Sequence, residues 1–203
     1  MKKESQMNSE IKRSNLIAIL ALIAVLSIIH LLTQGQYTDA LGNNYTKIIE
    51  QKQFYRLITS MFLHADFGHL FHNCLSLLII GLAYTRRKSL FKFFLIYFIG
   101  GLCGNIGSLV YHGIILRATD TYSIGASGAI FGVLGALVLY SLLCEHGRDR
   151  YGALMYALIV FLLGFENFST DNAAHFCGLI GGFIAEGIKE LFDSHEDLSH
   201  TIF

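Results

Sequence analysis

Long apolar blocks are the feature that most constrains the fold of this chain. The first block covers residues 16–32 and is interrupted only by Ser27 and His30. A helix needs about 20 predominantly apolar residues to cross the hydrocarbon core of a bilayer. Hydrophobic residues make up 53% of the 203 residues and charged residues 15%, whereas soluble domains carry about 25% charged residues. The sequence therefore predicts a protein that crosses a membrane several times.

Five further apolar blocks bring the predicted number of spans to six. They cover residues 69–84, 93–110, 124–143, 151–165 and 173–192. Several are short for a span, and tilt or local thinning of the bilayer accommodates such lengths. Residues 34–68 form a long connection whose second half, residues 54–63, is too apolar for a solvated loop and too short to span. We expect that half to lie in or on the membrane.

The basic residues predict the orientation of these spans. If the N-terminus lies in the cytoplasm, 11 of the 15 Lys and Arg residues also lie on the cytoplasmic side. Those nearest the C-terminus are Arg148, Arg150 and Lys189. Basic loops normally stay in the cytoplasm. We therefore expect cytoplasmic tails at residues 1–14 and 193–203, with one six-span domain over residues 15–192. Spans two, four and six then all begin at the outer face.

Composition argues against several classes of function. The formal net charge is zero and no basic face is visible, so nucleic-acid binding is not expected. The four cysteines lie inside apolar runs without CxxC spacing, and we interpret them as small buried hydrophobic residues: Cys74, Cys103, Cys144 and Cys177. His64, His69 and His72 raise the question of a zinc site. However, HExxH is absent and no Cys or carboxylate on that helix completes a set of ligands, so we expect neither a metal nor a cofactor.

A serine and a histidine that open two spans are the main candidates for chemistry. Each precedes glycines on one helix face: Gly128 and Gly132 after Ser127, and Gly178 and Gly182 after His175. Helices with such faces pack closely, which would bring Ser127 within hydrogen-bond reach of His175. A serine hydroxyl needs such a base to become a nucleophile. The alternative is that Ser127 caps a helix and His175 is a satisfied polar group, but their matching depth favours a site.

Other polar residues at the same depth extend this candidate site. His69 and Asn73 share one face of span two, where they could donate hydrogen bonds to a developing oxyanion, or simply bridge two spans as a buried pair. His72 faces elsewhere, and we interpret it as a packing or cavity-lining residue. Asp171 lies one turn before His175 and could orient the imidazole ring, although Asp at a helix start is more often an N-cap.

Three motifs, taken together, resemble the rhomboid family of intramembrane serine proteases in its minimal six-span bacterial form. They are Gly125-Ala-Ser-Gly128 opening one span, His175 followed by Gly178 and Gly182, and His64, His69 and Asn73 opening an earlier span. The resemblance runs from the Tyr55-Arg56 pair to about residue 187. The family often has Trp-Arg at that pair, a difference that affects loop packing more than chemistry.

The resemblance implies a Ser127–His175 dyad without an acidic member. It also implies an oxyanion site formed by His69, Asn73 and the Ser127 backbone, with Phe131 packing against His175. Residues 34–68 would be a membrane-embedded loop, which makes the expected fold an all-α bundle of six transmembrane helices. The implied substrates are single-span membrane proteins, cleaved near the outer face of a bacterial plasma membrane. Because His72 stands where a large apolar residue is common in the family, we make no prediction of the side chain preferred at the cleavage site.

Two other classes of function remain to be weighed. A catalytically silent relative could bind client transmembrane helices as an adaptor, but such proteins lose the serine or the histidine, and both are present here. A transporter or a haem- or metal-binding bundle would need a pathway of basic or acidic residues through successive spans. The sequence lacks that pathway, so the hydrolase is the leading hypothesis.

Overall fold

The computed structural model describes residues 2–145, 149–165 and 171–201. Within these ranges the α-helices are α1 Lys2–Thr33, α2 Thr38–Leu41, α3 Arg56–Thr59, α4 Phe67–Thr85, α5 Leu90–Leu109, α6 Ser127–Cys144, α7 Asp149–Phe165 and α8 Asn172–Thr201. Two short strands are β1 Asn43–Asn44 and β2 Tyr122–Ser123. Single helical turns of other types cover Thr46–Glu50, Ser60–Phe62 and Val110–Ile115.

Within the described residues, four stretches of helix are long and apolar enough to cross a bilayer. They are Glu10–Thr33, Phe67–Thr85, Leu90–Ile115 and Ser127–Cys144, and they coincide with the first four predicted spans. The chain is therefore a multi-pass membrane protein. The last two predicted spans fall on α7 and α8, and the count of six stays a prediction. Of the basic residues that predict the orientation, Arg148 lies outside the described residues, as do residues 166–170 between the fifth and sixth predicted spans.

The first helix extends into the segment predicted as a polar tail. It begins at Lys2, so the backbone of residues 2–14 continues the helix of the first span. Lys, Glu, Gln, Met and Arg in this segment are good helix formers, and no Gly or Pro interrupts it. Near the start of the apolar run, the buried Asn15 donates to the carbonyl of Thr85 at 3.0 Å. This contact ties the beginning of the span to the end of α4.

Helix α6 is the centre of the bundle. It packs against α4, α5, α7 and α8, and every residue from Gly128 to Val138 is buried. Over this stretch the helix carries only glycine, alanine, Phe131 and branched aliphatic side chains, so it has no polar face to turn toward solvent or headgroups. Helix α1 packs on α4, at the side of the bundle.

The connection between α1 and α4 is compactly folded around a buried arginine. Arg56 is 3% exposed and donates to the carbonyls of Asp39 at 2.8 Å and Gly42 at 3.0 Å, and to Oε1 of Gln53 at 2.7 Å. The guanidinium N–H groups thereby provide hydrogen bonds to carbonyl groups that have no partner within a helix. This network explains how a basic residue is accommodated inside a segment as apolar as residues 54–63.

A short antiparallel ribbon, which the sequence did not predict, joins this connection to the entrance of α6. Asn43 pairs with Ser123 and Asn44 with Tyr122. Two residues are too few to produce the alternating pattern by which strands are recognised in a sequence. The ribbon is a small exception to the all-α expectation, and it fixes the segment that leads to Ser127.

Candidate active site

The turn before α6 presents Ser127 beside an imidazole. Ser127 is the first residue of α6 and is half-buried. Two residues earlier, Gly125 has a φ of +130°, a conformation that favours glycine. A Cβ at that position would lie 2.8 Å from Nε2 of His69 and 3.7 Å from Oγ of Ser127. The absence of a side chain at Gly125 therefore lets the His69 ring approach the turn that carries the serine.

A buried asparagine supports this turn from behind. The Gly125 amide donates to the carbonyl of Ser60 at 2.9 Å. Asn105, on α5, donates to Oγ of Ser60 at 3.0 Å and to the carbonyl of Leu57 at 2.7 Å. Sequence reasoning missed Asn105. A side-chain amide inside an otherwise apolar span is costly unless it is hydrogen-bonded. The presence of an asparagine in such a span was therefore the signal that could have identified Asn105.

His175 lies over the face of α6 that begins with Ser127. It is in the first turn of α8 and is 9% exposed. Its ring stacks on Phe131 with centroids 4.2 Å apart and planes 12° from parallel. Phe131 follows Ser127 by one helical turn and so shares its face. Beside this stack, the carbonyl oxygen of Ala174 would lie 3.6 Å from a Cβ on Gly128. The residues next to Ser127 and His175 are thus in direct contact.

Glycines allow α5, α6 and α8 to approach at backbone distance. A Cβ on Gly178 would collide with the carbonyl of Gly128, and a Cβ on Gly182 with the carbonyl of Gly132. On the other side, a Cβ on Gly104 would lie 3.2 Å from Cα of Gly128. These are the α6 and α8 glycines that the sequence singled out, and the structure places them opposite one another.

His69 and Asn73 lie in the first turns of α4. The His69 amide donates to Oδ1 of Asp66 at 2.8 Å, which caps the helix and lowers the pKa of the Asp66 carboxyl. The Asn73 side chain donates to the His69 carbonyl at 2.9 Å. A carboxamide has two N–H donors, so one remains for another acceptor. Nε2 of His69 points at the Gly125 turn, whereas Asn73 is partly committed to its own helix.

Two neighbouring histidines occupy different environments. His64 is fully buried, its ring meets His69 edge on at 5.1 Å, and among the described residues neither of its ring nitrogens has a hydrogen-bond partner. His72 is exposed, and its ring contacts Phe71 edge on at 5.9 Å. Within the described ranges, no group of three or more His, Cys, Asp and Glu residues has an arrangement that could hold a metal ion.

Asp171 caps α8 and does not touch the imidazole of His175. Its Oδ1 accepts from the amide of Ala174 at 3.0 Å, and its Oδ2 accepts from Oγ of Ser108 at 2.5 Å. Nδ1 of His175 has no hydrogen-bond partner in the part of the chain that the structure describes. The N-cap interpretation of Asp171 therefore agrees with the geometry, and an orienting contact to the His175 ring does not.

Comparisons with known proteins point in one direction. A family model described as Rhomboid domain matches residues 51–189. The chain is 37% identical over 159 residues to Rhomboid protease GluP of Bacillus subtilis, an overlap of 75% of this chain and 29% of that protein. YdcA of the same organism is 34% identical over 143 residues, 69% of both chains. RHOMBOID-like protein 7 of Arabidopsis thaliana is 34% identical over 68% of this chain and 44% of its own length. The chain thus spans less than half of GluP and of RHOMBOID-like protein 7.

Proposed function

Because the chain belongs to the rhomboid family, we propose that it is a serine endopeptidase that cleaves transmembrane segments of other membrane proteins. The observation that carries the proposal is the stack of His175 on Phe131, one turn beyond Ser127. The stack fixes the plane of the imidazole against the helix that begins with the serine. Matches to proteins named rhomboid proteases support the same activity.

In the proposed mechanism Ser127 is the nucleophile and His175 the general base. His175 takes the Ser127 proton through Nε2 as Oγ attacks the scissile carbonyl, and then donates a proton to the leaving amine. Water attacks the acyl-enzyme in the second half of the reaction, with His175 again as base. No acidic residue takes part, since the Asp171 carboxylate is engaged by Ala174 and Ser108. Packing on Phe131 does the work of orienting the ring.

The proposed oxyanion site lies between α4 and the Gly125 turn. Its donors are Nε2–H of His69, the free amide N–H of Asn73 and the backbone N–H of Ser127. Donors fixed in advance around a developing negative charge stabilise the transition state more than the ground state. The close approach of His69 to Gly125 supports its place in this set. Asn73 is expected to contribute less, because its own helix engages one of its donors.

The proposed substrates are single-span membrane proteins whose helix unwinds readily near the outer face. Protein and bilayer are then the partners, with no metal, cofactor or nucleic acid. The location proposed is the plasma membrane of a bacterium, with both termini in the cytoplasm and the site opening outward. The distribution of Lys and Arg supports this orientation. Six spans, with the loop of residues 34–68 embedded in the membrane, complete the proposed topology.

Reaction with a fluorophosphonate probe tests the activated serine. We expect the purified chain in detergent to be labelled, and Ser127→Ala and His175→Ala to lose labelling. Ser141→Ala is a matched control, because Ser141 is a buried serine on the same helix, three to four turns from Ser127. The site of modification is identified by mass spectrometry of the labelled peptide.

The same experiment separates the enzyme from the adaptor. Folded wild-type protein that labels no better than Ser127→Ala would exclude the protease and leave an adaptor that binds client helices. Labelling at another serine would exclude Ser127 as the nucleophile. To test endopeptidase activity, the enzyme that reacts with the probe is reconstituted into a bilayer together with a model single-span protein. The new termini of the cleaved protein then locate the cleavage site relative to the membrane.

A further inference from the structure

One carboxylate beside the candidate site joins three segments of the chain: the end of α5 with the turn that follows it, β2, and the start of α8. Asp171 accepts from the Ala174 amide at the start of α8, at 3.0 Å, and from Oγ of Ser108 at the end of α5, at 2.5 Å. The Ser123 side chain of β2 lies beside the same carboxylate and lowers its pKa. Nε2 of His112, in the turn that follows α5, lies 3.6 Å from Oδ1. No contact with the His175 ring is among these interactions.

The partners of this carboxylate stand at informative places. Ser123 precedes Ser127 by four residues, and the segment between them is the tight turn at Gly125. Ala174 directly precedes His175, and the His175 amide donates to the Asp171 carbonyl at 3.2 Å. Of the residues around Asp171, Ser123 is therefore separated from the nucleophile Ser127 by one short turn, and Ala174 is joined to the base His175 by one peptide bond.

The carboxylate is suited to this role because it is ionised and engaged on both oxygens. Burial alone raises the pKa of Asp171, but the hydrogen bonds from Ser108 and the Ala174 amide, together with the nearby Ser123 side chain, outweigh burial and hold the pKa below its usual value. An ionised carboxylate is an acceptor only, with about four lone-pair positions. Charge-assisted hydrogen bonds of this kind are shorter and stronger than neutral ones.

We propose that Asp171 is a positioning residue that sets the distance between Ser127 and His175 by joining the strand before the serine to the first turn of the histidine helix. The inference rests on the proposed function of the site. It differs from a catalytic triad, since Asp171 acts through β2 and the backbone of α8 and makes no bond to the imidazole. A shift of about 1 Å between reacting groups can cost on the order of a hundredfold in rate, which is the scale on which such a junction would act.

The test measures the two steps of fluorophosphonate labelling separately. Asp171→Ala is expected to lower kinact about tenfold to a hundredfold with KI unchanged, because the probe still binds but meets a misplaced pair. Asp171→Asn is expected to recover part of the rate, since its amide oxygen can still accept from the Ala174 amide. Ser123→Ala is expected to lower kinact as well, and to add little on top of Asp171→Ala because both changes cut the same link.

A second helix cap at the other end of the bundle provides the control. Ser89 caps α5 by accepting from the Lys92 amide at 3.3 Å, and Ser89→Ala removes a cap without touching the site. Melting temperatures are measured for every variant. We expect Ser89→Ala to lower the melting temperature and leave kinact unchanged, whereas Asp171→Asn lowers kinact under conditions where it is folded.

The other possible outcomes contradict either the positioning role of Asp171 alone or the protease function as well. Wild-type labelling with Asp171→Ala and Ser123→Ala at the wild-type rate overturns the positioning role and leaves the protease intact. A loss of kinact in Asp171→Ala that is strictly additive with that in Ser123→Ala also overturns it. If Asp171→Ala does not fold, Ser123→Ala and Asp171→Asn decide the question by the same criteria. Folded wild-type protein without labelling overturns both the proposed function and this inference.

Discussion

The two ends of the bundle are held together by different means. At the site end, α6 meets α8 through glycines, and imidazoles lie between the helix starts. At the opposite end, Glu186 on α8 is 1% exposed, accepts from the Tyr84 hydroxyl of α4 at 2.7 Å and lies 3.2 Å from Nζ of Lys88. One end uses close backbone contact and ring packing, whereas the other uses a buried ionic cluster.

This difference indicates that stability and reactivity are supported by separate parts of the fold. The ionic cluster engages a buried carboxylate, and breaking a buried pair leaves an uncompensated charge. At the site end, Nδ1 of His175 has no partner among the described residues, so the ring depends on packing for its orientation. Damage to the opposite end should therefore lower the melting temperature first, and damage to the site end should lower the rate first.

The largest effect is expected from Glu186→Ala. The variant leaves Lys88, whose side chain is 11% exposed, beside a cavity where its partner had been. Removing one partner of a buried pair costs about 3–5 kcal/mol, so we expect a marked fall in melting temperature. The fluorophosphonate labelling rate well below that temperature should be unchanged. A variant that melts like wild type but labels slowly would reverse the assignment of the two ends.

The next effect is expected from His69→Ala, at the site end. Loss of one oxyanion donor typically lowers a rate by about a hundredfold to a thousandfold. We expect labelling of Ser127 to slow by that amount, with little change in melting temperature. His72→Ala is the matched control, because His72 is exposed and lies on the same helix. Equal slowing in both variants would show that the effect comes from the helix and not from the donor.

A smaller effect is expected from adding one methyl group to the glycine contact. Gly178→Ala places a Cβ against the carbonyl of Gly128, while Gly152→Ala on α7 meets nothing within 4 Å. Overpacking a tight contact costs about 1–3 kcal/mol, whereas alanine in an open helical position stabilises by about 0.4–1 kcal/mol. Thermal melting of both variants should therefore shift in opposite directions. Equal shifts would mean that the glycine contact is looser than its geometry indicates.

The sequence predicted much of this arrangement because membrane spans impose strong periodic patterns. The positions of the first four spans follow from apolar length, and the contact of Gly128 with Gly178 follows from small residues repeated on helix faces. Successive spans cross the membrane in opposite directions, so spans two, four and six begin at the same face. Ser127, His175 and His69 lie at the starts of these spans and were therefore predicted to share one depth in the membrane.

Other features could not be predicted, since they depend on contacts between distant residues. The ribbon that pairs Asn43 with Ser123 has only two residues in each strand, so it leaves no periodic pattern in the sequence. Asp171 was recognisable as a cap, but its bond to Ser108 joins positions 63 residues apart. Asn105 was visible as a polar residue in a span, although nothing in the sequence identified Ser60 as its partner.

The smallest effect sharpens the comparison within the end opposite the site. Arg87 and Glu145 form an ion pair at 2.5 Å between the end of α4 and the residue after α6, but their side chains are 30% and 16% exposed. Partly exposed pairs contribute about 0.2–1 kcal/mol after solvent screening. Arg87→Gln is therefore expected to lower the melting temperature slightly, and less still in 1 M salt, where the Debye length is about 3 Å. The loss in Glu186→Ala should persist in the same salt because that cluster is buried. If both losses vanish in salt, burial does not distinguish the two pairs, and the ionic cluster cannot be what stabilises that end.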